Sequence, residues 1–214
     1  MADGADGLVA HQLRYYRARA GEYDATSYGA DSGERASVPA IVDRLGISGD
    51  VIELACGTGI WTAELARYAT TLTAVDGAPE MLDLARERVP AGVTFEQADL
   101  FDWAPPGSSW DVVFFAAWLS HVPADRFDGF WSSVAAALRP GGRVVALDEL
   151  PARSFHEDQI EGEVAVRTLQ DGTKHEIVKV FWEPFALEQR LDALGWRAKI
   201  TPIEHGWFIL DATR

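Results

Sequence analysis

The stretch Val51-Ile52-Glu53-Leu54-Ala55-Cys56-Gly57-Thr58-Gly59-Ile60-Trp61-Thr62 decides how the chain is read, because a β-branched apolar run meets a glycine turn and then a helical pattern. Glycine lets the backbone approach a ligand closely, and the free N–H groups that open the following helix favour an anionic group. Strand, glycine turn and helix in this order mark a ligand site at the carboxyl edge of an open α/β sheet. A dinucleotide fingerprint asks for a third small residue at position 62, where threonine stands instead. Glu53, on the entering strand, would repel a pyrophosphate and attract an ammonium or sulfonium, so the expected ligand carries positive charge.

Outward from this stretch, short β-branched runs alternate with longer segments of helical period, the pattern of a parallel sheet with crossover helices. The expected strands are 51–55, 72–75, 93–97, 112–115 and 143–147, and the expected helices between them are 58–68, 79–88 and 125–138. In the last of these Phe127, Phe130, Trp131, Val134 and Leu138 recur at steps of three or four, so one face is buried. Arg139-Pro140-Gly141-Gly142 reads as its stop. Two helices, 11–23 and 37–45, precede the sheet across a Gly/Ser/Asp loop at 26–33. A polar loop over 151–162 leads to a hairpin, 164–169 with 176–182, around Asp171-Gly172. After a helix at 184–194 come two β runs, 197–203 and 207–212, whose connection is too short for a crossover helix; they are antiparallel.

The chain has 214 residues, 48% of them hydrophobic, which favours one domain with a substantial core. Its single cysteine, Cys56, cannot form an intrachain disulfide or a cysteine-based zinc site, and a cytoplasmic setting fits. The formal charge of −14 opposes binding to phosphate backbones and anionic lipid, so no nucleic-acid or membrane partner is expected. Residues 1–7 carry neither the basic start nor the apolar run of a signal peptide, and no stretch approaches the roughly 20 apolar residues that a bilayer requires.

Two more carboxylates fall at the edge marked by the glycine turn. Asp76 closes the second strand 17 residues beyond Gly59, where it can accept both hydroxyls of a ribose. Asp99, in Gln97-Ala98-Asp99-Leu100 after the third strand, is placed to accept a hydrogen bond from an exocyclic amine such as that of adenine. Taken singly, each aspartate reads equally as a turn or helix cap. Cys56 reads as a small packing residue, and Trp61 as a wall of the site or a buried helix residue.

With Glu53-x-x-Cys56-Gly57-Thr58-Gly59, Val75-Asp76, Ala98-Asp99-Leu100 and Leu138-Arg139-Pro140-Gly141-Gly142 in this order, residues 37–148 resemble the class I S-adenosylmethionine-dependent methyltransferases of small-molecule type. The resemblance implies a Rossmann-like α/β fold with sheet order 3-2-1-4-5-7-6 and strand seven antiparallel, which agrees with the closing β pair. It implies S-adenosylmethionine as the cofactor, with Gly57 and Gly59 at the methionine moiety, Asp76 at the ribose, and Asp99 with Leu100 at the adenine. Glu53, Ala55, Thr58, Gly77 and Ala116 belong to the same edge, and Met81 lines the adenine pocket or the core. The segment from Tyr15 to Asp24 resembles the amino-terminal helix that covers the cofactor in many members. Tyr15, Arg19 and Tyr23 would then face the methionine carboxylate; a surface helix balancing an acidic body is the plainer reading. One methyltransferase domain spans 1–214, with residues 1–36 as a helical lid and 151–182 as an insertion over the acceptor.

Methyl transfer from a sulfonium is an in-line displacement, so the protein must hold the acceptor in line and exclude water, and it needs a base only for a protonated nucleophile. His121, just past the fourth strand, is the general-base candidate; a cap on the following helix or a bond to a backbone carbonyl is its structural alternative. His156 ranks second. A metal held by Asp148, Glu149, His156, Glu157 and Asp158 is conceivable, but acidic residues in such a loop are usually solvated and no metal is expected. Arg167 and Lys179 read as partners of neighbouring carboxylates, or as ligands for an acidic acceptor. The expected activity is methyl transfer to a small molecule at a hydroxyl, with nitrogen, carbon and sulfur acceptors open. A nicotinamide-dependent oxidoreductase, against which Glu53 and Thr62 weigh, and a non-catalytic cofactor-binding protein are the readings from other classes.

Overall fold

The computed structural model describes residues 5–27, 33–157 and 160–214. Three helices, α1 (Ala5–Arg19), α2 (Tyr23–Ser27) and α3 (Glu34–Arg44), precede β1 (Asp50–Leu54). Then come α4 (Ile60–Leu65), β2 (Thr71–Asp76), α5 (Pro79–Arg88), β3 (Thr94–Gln97), β4 (Trp110–Ala116), α6 (Phe127–Ala137) and β5 (Leu138–Glu149). A small unit of β6 (Ile160–Glu161), β7 (Val164–Thr168) and β8 (Lys174–Val178) follows, and α7 (Pro184–Ala193), β9 (Arg197–Ile203) and β10 (Trp207–Thr213) close the chain.

The seven-stranded sheet runs β3-β2-β1-β4-β5-β10-β9, with β10 antiparallel to both neighbours. Because β6 to β8 form a separate sheet, β9 and β10 take places six and seven, and the expected order holds. One face of the sheet packs on α6 and α7, where Trp131 and Trp196 meet edge to face at 5.1 Å and Phe115 meets Phe130 at 5.4 Å. The other packs on α3 and α4 through Val38, Val42, Leu65 and Phe114. Among the described residues no helix is long and apolar enough to cross a membrane.

Three expectations about elements are corrected. The leading helix begins earlier and ends sooner than 11–23, because a 3-10 turn at Ala20–Glu22 separates α1 from α2. Of the loop expected at 26–33, residues 28–32 lie outside the described residues. Arg139-Pro140-Gly141-Gly142 does not separate α6 from β5 but lies within β5: Trp110 pairs with Leu138, and the next pair is Val112 with Arg143. The intervening residues form a bulge, where a proline without an N–H costs no ladder bond. A Cβ at Gly142 would lie 3.0 Å from the carbonyl oxygen of Asp111, so this close approach requires glycine. Finally, the expected polar loop contains a 3-10 turn, Pro151–His156, and β6, which makes the insertion three-stranded.

Candidate active site

Two strand ends shape the site. Ala55 after β1 and Ala117 after β4 adopt left-handed backbone, with φ of 55° and 53°. For residues with a Cβ this costs about 1–3 kcal/mol each, a strain that typically marks a functional edge. Between them opens a cleft of about 710 Å³, its mouth included. Its floor is formed by Ala55, Gly57, Asp76, Gly77 and Ala116 at the carboxyl ends of β1, β2 and β4. Met81 of α5 and Asp99 with Leu100 after β3 form one end. Phe101 and Trp118, with ring centroids 5.4 Å apart, form an aromatic wall. Val9, Gln12, Leu13 and Tyr16 of α1, with Tyr23, form the roof.

Asp76 organises the glycine turn. Its two carboxylate oxygens accept the N–H groups of Gly57 and Ala78, each at 2.8 Å. Burial pushes its carboxyl up to about 6, and these backbone bonds oppose the shift. Of the other residues expected at the cofactor, Tyr23, Ala55, Gly57, Gly77, Met81, Asp99, Leu100 and Ala116 line this cleft, while Tyr15, Arg19, Glu53, Thr58 and Gly59 do not. Glu53 is 1% exposed on β1, and its Oε2 has no hydrogen-bond partner among the described residues. Burial pushes it up to about 8, so in the free chain it is mostly a neutral acid behind the glycine turn. Thr58 donates to Asp24 at 2.6 Å and accepts from Arg88 at 2.8 Å, tying α2 to the turn and to α5. Gly59 packs on α5: a Cβ there would stand 3.0 Å from Ala85. Cys56 is buried, and burial raises its thiol well above the usual range, which leaves it unreactive. Trp61 is also buried, in the core against Phe114.

Arg19 lies in a second, larger cavity of about 1410 Å³, mouth included, that meets the first at Tyr16, Tyr23, Ala117 and His121. Its guanidinium stacks over Tyr23 at 4.8 Å and bonds Thr26 and Ser27. It is 7% exposed, and among the described residues no carboxylate pairs with it. A buried guanidinium in this condition favours an incoming carboxylate. The other cations of the cavity are paired: Arg167 with Glu157, Lys179 with Glu149, and Arg153 with Glu149 and Glu34 at 2.9 Å each. Burial pushes Glu149 up, but Lys179 and Arg153 outweigh it and hold the carboxyl below its ordinary value. Asp148 is buried and accepts the backbone N–H groups of Ser120 and Glu149. The acidic residues considered for a metal are thus engaged elsewhere, apart from Asp158, which with the side chain of His156 lies outside the described residues.

His121 sits where the two cavities meet, 4% exposed. Its Nδ1 lies 2.7 Å from the carbonyl oxygen of Val178, and its Nε2 lies 2.9 Å from the hydroxyl of Tyr16. A carbonyl only accepts, so Nδ1 carries the proton. Burial, then Lys179 and Arg167, hold the imidazole well below its ordinary value; the ring is neutral and Nε2 accepts from Tyr16. The structural alternative weighed for His121, a bond to a backbone carbonyl, is therefore present, and it leaves Nε2 as the accepting nitrogen.

Tyr16, Gln12, Phe101, Ala117 and Trp118 were missed by reasoning from sequence. The spacing of Val9, Gln12, Leu13 and Tyr16 is a helical stripe that could have shown the roof.

The profile of the family described as "Methyltransferase domain" matches residues 51–142. The solved complex of DhpI with SAH is 42% identical, covers 98% of each chain and superposes with a TM-score of 0.87; the complex of DhpI with SAM and HEP is 43% identical with the same TM-score, covering 99% of this chain and 100% of that one. The chain belongs to the class I S-adenosylmethionine-dependent methyltransferases. Relatives within this family include the trans-aconitate 2-methyltransferase of Paracidovorax citrulli, 35% identical over 58% of this chain and 53% of that protein. A ubiquinone biosynthesis O-methyltransferase of Xanthomonas euvesicatoria is 32% identical over 71% of this chain and 64% of that protein. The chain spans about half to two thirds of the length of these two curated relatives. The lined cleft fits the cofactor of the family: Asp76 would receive the ribose, Asp99 and the aromatic wall the adenine, and Gly57 the methionine moiety.

Proposed function

We propose that the chain transfers the methyl group of S-adenosylmethionine to an oxygen of a small hydroxylated molecule in the cavity beside Tyr16, with His121 as general base. The observation that carries this reading is the neutral imidazole of His121, whose accepting Nε2 stands at the junction of the two cavities. When bound, S-adenosylmethionine supplies an electrophilic methyl carbon, whose bond to sulfur breaks with its electron pair going to sulfur as the acceptor oxygen's lone pair bonds the carbon. The acceptor's proton then has to leave the oxygen, and His121 takes it once the acceptor hydroxyl has replaced that of Tyr16 at Nε2. A positive charge is lost at sulfur as one appears on the imidazole, so the net charge of the site is unchanged, and the burial that disfavours an imidazolium in the free chain is offset. An uncharged amine would use the same cleft and attack without this base, whereas a hydroxyl requires it. Arg19, at the side of Tyr23, would anchor the methionine carboxylate from the second cavity, and α1 would exclude water from above.

The test is His121→Ala, assayed with S-adenosylmethionine and a panel of hydroxylated small molecules, methylated product being read by mass spectrometry. Turnover at neutral pH is expected to fall by roughly 10²-fold or more with cofactor affinity unchanged. Unchanged turnover would remove His121 as the base.

A further inference from the structure

The covering helix does more than close the cleft. Gln12 of α1 is 3% exposed, and both ends of its carboxamide are engaged: Nε2 donates to the carbonyl of His121 at 3.1 Å, and Oε1 accepts from the N–H of Val178 at 3.0 Å. Val178 is the residue whose carbonyl accepts the Nδ1–H of His121. One side chain therefore holds both ends of the bond that fixes the tautomer. One helical turn further on, Tyr16 bonds Nε2 and sets its ring edge-on to the imidazole, with centroids 5.5 Å apart at 81°. Both helix residues also line the cofactor cleft.

We infer that Gln12 and Tyr16 are positioning residues, Gln12 locking His121 into its proton-accepting tautomer by tying the His121 turn to β8 and Tyr16 setting the orientation of the ring, so that the base is assembled only when α1 is seated over the cleft. The inference rests on the reading of His121 as base. The groups that face the imidazole come from three places: Tyr16 and Arg19 from α1 side, Arg167 from β7, and Lys179 just after β8. The three cations and burial all oppose protonation while the helix is closed. With Gln12 unable to bond, the His121 turn and β8 are no longer held together, water reaches the ring, and the two neutral tautomers interchange.

The experiment is side-chain ¹⁵N spectroscopy of His121 across a pH titration, on the full chain saturated with S-adenosylhomocysteine. Wild type is compared with Gln12→Met, which keeps the buried volume, and Tyr16→Phe, which keeps the ring; thermal unfolding and S-adenosylhomocysteine binding report that both are folded. Wild type is expected to show a single Nδ1–H form with a midpoint below the ordinary value of about 6.5. Tyr16→Phe keeps that tautomer but shifts the Nε2 resonance, and Gln12→Met gives averaged resonances and a midpoint moved up toward about 6.5. An unmoved tautomer and midpoint in Gln12→Met would overturn the inference, as would an Nε2–H form in wild type. Loss of transfer in His121→Ala alongside an unmoved Gln12→Met spectrum would sink the lock while sparing the base. Full transfer in His121→Ala would instead sink the base reading and the catalytic meaning of the lock with it.

Discussion

Gly59 is held at φ 79° with its α-carbon facing Ala85 of α5, so two independent constraints exclude a side chain. Gly59→Ala would strain the backbone and push α5, with Met81, away from the cleft. Stability is expected to fall by about 1–3 kcal/mol, and cofactor binding to weaken with it, measured by thermal unfolding and calorimetry. The buried acids make stability and binding depend on pH. The carboxyls of Glu53 and Asp76 are raised by burial to about 8 and about 6, above their unfolded values, so between roughly pH 4 and 8 the folded chain holds more protons than the unfolded one. The free chain therefore loses stability as pH rises through that window. A cationic ligand favours the ionised form of both carboxyls, so S-adenosylmethionine binding should release protons and tighten from roughly pH 5.5 to 8. Calorimetry in buffers of different ionisation enthalpy reads this directly, and binding without proton release would contradict it. Gly57, Asp76 and Asp99 were legible in sequence because the glycine turn and the strand ends are local patterns. The partners of His121 were not: Gln12 and Tyr16 lie 109 and 105 residues away, and only the fold brings them together.

At the scale of elements, α6 shows how far periodicity reaches. The stripe Phe127, Phe130, Trp131 and Val134 is buried as its spacing requires, and Trp131 contacts Phe115, Phe127, Phe130 and Trp196. Trp131→Ala would leave a large cavity between α6 and the sheet and is expected to cost about 3–5 kcal/mol, measured by denaturant unfolding. Leu138, by contrast, has the spacing of the stripe but starts β5, because pairing with Trp110 competes successfully with one more helical residue. Two-residue β6 carries no periodic signal of its own; it exists through its pairing with β7. The leading helix was legible as a helix but not in its bounds, since it is ended by the 3-10 turn at Ala20–Glu22, where Ala20 packs against Ala78 and Met81.

Across the whole molecule, the carboxyl ends of four neighbouring strands build the first cleft, and the three-stranded insertion with the leading helices lines the second cavity beside it. The net charge of −14 is unevenly used: Asp76 structures the glycine turn, while cations of the second cavity are gathered among Glu149 and Glu157. Tyr16, Tyr23, Ala117 and His121 border both spaces, so donor and acceptor would meet at the imidazole. Oxygen methylation is read from the fate of the label when S-adenosylmethionine carrying ¹³C in its methyl group is incubated with the full chain and a hydroxylated small-molecule panel. A ¹³C-methyl ether or ester resonance is expected in a product that disappears with His121→Ala; label appearing on nitrogen, carbon or sulfur, or retained in a tightly bound but unreacted cofactor, would rule out oxygen as the acceptor atom.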